Sequence, residues 1–239
     1  MYCQLCGTQM GDAAAACANC GHQVPSATTA TAKDIGEQVK ASSKDAVDVL
    51  KRLASDPVGG LSVAFTNLGP DRALSAGIAL CVAFALAASV GLVLGANQLQ
   101  RVASGFLGQF SGLVQGSQGF GEFVKTAFQL LILPAAISVV SLGLRKIAGA
   151  SPPVAADIFT AGAALAPLGV ATLLSGLIGV GNFEIVMLLL FFAVSYLVLM
   201  LYAGLTTVGA MSQRAGALAV PAAILLSAWL CKVVFAAFV

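Results

Sequence analysis

Histidine and charge are scarce in this chain. One His, His22, serves 239 residues, which removes most His-dependent nucleophile–base triads. No phosphate loop or dinucleotide fingerprint occurs, so the chain reads as non-enzymatic, with no catalytic or cofactor-binding residue. Charged residues make up only 9 %, against about 25 % in an ordinary soluble domain. The net charge is +2, and the first 32 residues contain no Lys or Arg. A nucleic-acid-binding ribbon needs a cationic patch to neutralise phosphates, so nucleic acid is excluded as a partner. The start of the chain also lacks the basic and apolar stretches of a signal peptide, which leaves the N-terminus on the cytosolic side.

Hydrocarbon takes the place of charge. Hydrophobic residues make up 59 % and mean hydropathy is +0.94. Beyond Arg72, apolar windows exceed the roughly 18–20 residues that cross a bilayer as a helix. Five crossings are predicted, at about 73–96, 123–144, 156–180, 183–210 and 216–238. Pro134, Pro167 and Pro221 fall inside or at the start of crossings and predict kinks. With the N-terminus cytosolic, that side collects nine basic residues, from Lys33 to Arg214. Arg101, Lys125 and Lys232 fall opposite. This bias follows the positive-inside rule and sends Val239 to the far side.

Four cysteines form two knuckles before the first crossing, Cys3-x-x-Cys6-Gly7 and Cys17-x-x-Cys20-Gly21. Four thiolates at this spacing predict one tetrahedral, structural Zn2+ held by Cys3, Cys6, Cys17 and Cys20 in a short zinc ribbon over residues 1–24. Such a site is saturated and has no place for a substrate. Residues 25–32 read as a flexible linker. In the juxtamembrane region, residues 33–72, an amphipathic helix is predicted over 33–55, with Ile35, Val39, Ala46, Val49, Leu50 and Leu53 on one stripe. Either it lies on an anionic membrane surface or it packs on its own protein or a partner. A short interfacial helix over 56–72 then feeds the first crossing. Between the first two crossings, Phe106, Leu107, Phe110, Leu113 and Val114 recur at helical spacing, as in a helix on the outer leaflet or a lid.

Cys81 and Cys231 read as packing residues. No ionisable residue is placed near a bilayer centre, and Asp157 and Glu184 fall at crossing ends. Gly91-x-x-x-Gly95 and Ser175-x-x-x-Gly179 predict close helix contact, within one chain or in a homo-oligomer.

From Asp56-Pro57 onward the chain resembles the Yip family of five-helix membrane proteins, in its bacterial branch. The residues concerned are Leu68-Gly69-Pro70, Pro167 and the run from Leu201 to Ser212. The knuckles separately look like the zinc ribbons of bacterial membrane proteins. The fold class expected is therefore an all-α integral membrane protein of five transmembrane helices with an N-terminal zinc ribbon, in the inner membrane. The resemblance implies a scaffold or adaptor role, the ribbon docking an unidentified cytosolic or membrane protein or the lipid surface. The alternative is a transporter, channel or accessory subunit. Its polar path would draw on Gln129, Ser138, Ser141, Asp157, Thr160, Ser195, Tyr196 and Thr206.

Overall fold

A computed structural model describes residues 32–106, 120–150 and 153–238. The chain divides between Lys40 and Ala41, and the account below concerns the second unit. Every regular element among the described residues is helical: α1 (Ala32–Ser55), α2 (Gly59–Phe106), α3 (Phe120–Leu130), α4 (Ile132–Ile147), α5 (Val154–Ile178), α6 (Phe183–Ala203) and α7 (Gln213–Phe238). Five stretches are long and apolar enough to cross a membrane: Gly59–Gln98, Phe123–Ile147, Val154–Ile178, Phe183–Val208 and Gln213–Val234. Large side chains such as Leu188, Phe191, Leu218, Leu225 and Trp229 point outward from them. In water such a surface would be an aggregation site, whereas in lipid it is the solvated face. The protein is a multi-pass membrane protein.

Glycine and proline divide the helices. Gly69 breaks α2 with φ 72° and ψ 166°, a conformation that costs any other residue strain, and Pro70 restarts the helix. Pro134 causes the seam between α3 and α4, since it has no N–H to give the Leu130 carbonyl four residues back. There the Leu131 N–H is shared between the carbonyls of Ala127 and Phe128, at 3.3 and 3.2 Å. By contrast, α5 and α7 run unbroken through Pro167 and Pro221, without the helix break that proline often imposes.

The centre of the bundle is a parallel pair, α2 and α5. Gly77, Phe84 and Gly91 lie seven residues apart on α2, and Gly162, Gly169 and Gly176 lie seven apart on α5. They meet in order, each pair 85 residues apart in the chain (77 and 162, 84 and 169, 91 and 176). A methyl group on Gly162 would stand 2.6 Å from the Gly77 carbonyl oxygen. One on Gly169 would stand 3.1 Å from the Phe84 Cα, and one on Gly176 would collide with the Gly91 carbonyl. The contact is therefore backbone to backbone, which small residues permit and lipid-embedded helices depend on. Its seven-residue period is that of left-handed helix pairs. Of the two four-residue motifs, Gly91 lies in this contact, whereas Gly95 faces open space. Gly179 ends α5 with φ 85°, and Gln98 Nε2 donates to the neighbouring Gly176 carbonyl at 2.8 Å.

From Ala41 onward, α1 packs on its own protein. Ala46, Val49 and Leu53 are buried, and the Tyr196 hydroxyl of α6 donates to the Leu53 carbonyl at 3.0 Å. Asp45 accepts two bonds from Arg72, at 3.1 and 2.6 Å. The first segment of α2 buries Leu61 and Ala64, and Phe65 meets the fully buried Phe159 at 5.8 Å between ring centroids.

Candidate functional site: a clamped groove between three helices

Wall and clamp of the site come from adjacent residues of α4. Pro134, Ile137, Ser141 and Arg145 recur at steps of three and four, and all are buried. Arg145 is only 1 % exposed, and its Nη2 donates to Oδ2 of Asp157, which is 3 % exposed, in the first turn of α5. Both helix ends favour this placement, since a cation suits a C-terminus and a carboxylate an N-terminus. α4 stops in a glycine cap: Gly149, at φ 78°, donates to Lys146 O at 3.1 Å, and Ala150 donates to Arg145 O at 3.0 Å. The pair therefore fastens the end of α4 to the start of α5.

The end of α6 packs beside the pair. Gly204–Val208 is one turn of π-helix. Gly209 donates five residues back to Gly204 O at 2.7 Å, and Met211 donates six back to Leu205 O at 3.0 Å. Ala210 takes φ 54° to close the turn. The wide turn brings two glycines against the site. A methyl on Gly209 would stand 2.9 Å from Arg145 Cδ, and one on Gly204 would strike Thr160 of α5.

Next to the clamp, α2, α4 and α5 leave an open groove of about 440 Å³. Ile78, Cys81 and Val82 form one wall, Leu131, Ala135, Ser138, Val139 and Leu142 the second, and Val154 and Ile158 the third. The lining is almost wholly apolar, because the Ser138 hydroxyl is turned back to Pro134 O at 2.8 Å. From Leu131 to Leu142 the α4 wall rises about 16 Å at 1.5 Å per residue. That is roughly one leaflet of a hydrocarbon core about 30 Å thick. A second apolar groove of about 340 Å³ lies between Leu50 and Leu53 of α1, Pro167 of α5, and Phe192 and Tyr196 of α6.

The eight polar residues expected to line a path do not share one cavity. Asp157 is in the clamp, Thr160 is buried against Gly204, and Ser141 lies on the same buried stripe of α4 as Arg145. Thr206 bonds to Tyr202 O at 2.8 Å and Tyr196 to α1, Gln129 is half-buried, and Ser195 is exposed. Sequence reasoning placed Arg145 among loop cations, although its position on the Pro134–Ser141 stripe signals burial. Cys81 lines the groove, and Cys231 is buried on α7.

No protein-family model matches the chain, and neither does any curated protein or solved structure. The expected Yip identity is thereby overturned. Apolar helices are what lipid demands of any helical multi-pass chain, and prolines within them are tolerated generally, so neither singles out one family. The zinc expectation is corrected too. Among the described residues no three His, Cys, Asp or Glu side chains come together, and there is no strand. Paired C-x-x-C spacing is local, whereas a metal centre needs its ligands assembled in space. Cys3, Cys6, Cys17 and Cys20 lie outside the described residues. The zinc ribbon, its Zn2+ and the docking role built on them are withdrawn, and so is the ribbon-bearing fold class. The described chain is an all-α bundle with five membrane-length helices. The loop residues Leu107, Phe110, Leu113 and Val114 also lie outside the described residues.

Proposed function

We propose that this is a lipid-binding membrane protein that holds an acyl chain of one leaflet in the groove between α2, α4 and α5. The observation that carries the reading is the groove itself, apolar along its length and as deep as a leaflet. The flanking architecture supports it. One wall belongs to the glycine-packed α2–α5 pair, and the other is fastened at its end by Arg145 and Asp157. A groove between fixed walls pre-organises a binding site, which lowers the ordering cost of binding. We place the groove mouth, with the α4–α5 connection, on the cytosolic side of the membrane. Leaving out the buried Arg145, eight basic residues on that side against three on the other support the orientation.

The test is native mass spectrometry of the full chain released from membranes, comparing wild type with Ala135→Trp. Ala135 lines the groove and is exposed, so the indole occupies the groove without entering the core. Phospholipid retained by wild type and lost from the variant, at unchanged oligomeric state, is the expected result. Equal retention by both overturns the reading. So does a change of oligomeric state without loss of lipid, which makes the groove a contact between two copies.

A further inference from the structure

We infer that the groove mouth selects a zwitterionic phospholipid with a primary ammonium, Lys146 taking the phosphate and Asp71 the ammonium. This rests on the groove reading above and adds the headgroup. On α4, Ala135, Val139 and Leu142 line the groove, and Lys146 continues the same stripe one turn further, at the mouth. On α2, Ile78 and Val82 line the groove, and Asp71 continues their stripe seven residues below Ile78. Helical periodicity keeps both within about 40° of the lining residues. Both lie at the same end of the bundle, because Gly77 packs against Phe159 and Gly162 near the start of α5, which follows α4 directly.

The two side chains are exposed, and neither has an ion-pair partner among the described residues. Their neighbours are engaged, since Arg145 is turned inward to Asp157 and Arg72 is held by Asp45. Two opposite charges on opposite walls match a headgroup carrying both signs. A headgroup with net negative charge meets Lys146 but is repelled by Asp71. A quaternary ammonium keeps the charge but gives the Asp71 carboxylate no N–H to accept. The expected order is phosphatidylethanolamine, then phosphatidylcholine, then phosphatidylglycerol.

The experiment reconstitutes the full chain in nanodiscs with equal parts of these three lipids and reads the retained lipid by native mass spectrometry. Exposed charge pairs of this kind predict an enrichment of about threefold for phosphatidylethanolamine. Asp71→Asn should abolish that enrichment and leave total lipid unchanged, while Lys146→Gln should lower total lipid. Unfolding midpoints equal to wild type confirm that both variants fold. No enrichment in wild type overturns the inference. Enrichment that survives Asp71→Asn also overturns it, and leaves Asp71 serving only the restarted helix. In either case the groove reading stands or falls separately, on the Ala135→Trp result.

Discussion

α5 is held by two neighbours in opposite ways. Against α2 it has no side chains to spare, as glycines seven residues apart let the two backbones touch from Gly77 to Gly91. Against α4 it is fastened at one end by a buried Arg145–Asp157 pair, and below the clamp the helices part to leave the groove. Lipid supplies no hydrophobic force between helices, because the tails are as apolar as leucine. Association then needs either close packing along the whole contact or a polar bond that has no better partner in hydrocarbon. The first makes a seam with no room in it. The second fixes two helices at a point and leaves space beside it, and this is where a binding site can form.

The clamp should break with the largest effect. Arg145→Met leaves the Asp157 carboxylate buried without its partner, a change that costs about 3–5 kcal/mol. The double variant Arg145→Met, Asp157→Leu should recover most of that loss, since an apolar pair of similar volume carries no desolvation penalty. Unfolding in detergent measures both. A double variant as unstable as the single would mean that the pair does more than fasten two helices. In lipid binding, the single variant should also lose retention, because the mouth of the groove is no longer held.

The seam should yield next. Gly176→Ala drives a methyl into the Gly91 carbonyl, and overpacking of this kind costs about 1–3 kcal/mol. Gly95→Ala, four residues from Gly91 but facing open space, should cost no stability in the same assay, since alanine favours a helix interior over glycine. Equal effects at the two positions would show that the seven-residue ladder is not what joins the helices. A smaller effect of opposite sign is expected at Ala210, where φ is 54°. Ala210→Gly relieves a left-handed conformation and should stabilise the protein by about 0.5–1 kcal/mol. Smallest is Asp45→Asn, which removes the carboxylate from a largely exposed Arg72. No shift in unfolding midpoint is expected at physiological salt.

Much of this contrast is legible in the sequence, but in pieces. Gly77, Phe84 and Gly91, and likewise Gly162, Gly169 and Gly176, carry a seven-residue period that can be read along the chain. Which period meets which cannot, since their partnership spans 85 positions and depends on the intervening helices. The four-residue motif Gly91-x-x-x-Gly95 is the more conspicuous local pattern, yet Gly95 faces open space. Arg145 shows how a rule can mislead. Counting basic residues in loops placed it in a loop, while the stripe through Pro134, Ile137 and Ser141 placed it inside. The groove left no trace in the sequence, because an apolar residue facing a groove and one facing lipid look the same. The turn at Gly69-Pro70 is local and readable, since glycine alone takes φ 72° together with ψ 166° and proline favours an extended residue before it.

The 85-residue offset of the central pair also governs how the protein is made. At about 5–20 residues per second, the helix ending in Gln98 waits several seconds before its mate leaves the ribosome. During that interval its bare glycine face, Gly77 to Gly91, stands open to any small-faced helix nearby. Until then lipid or a passing helix covers that face, and a photo-crosslinker at Gly91 during synthesis should report which of the two it is.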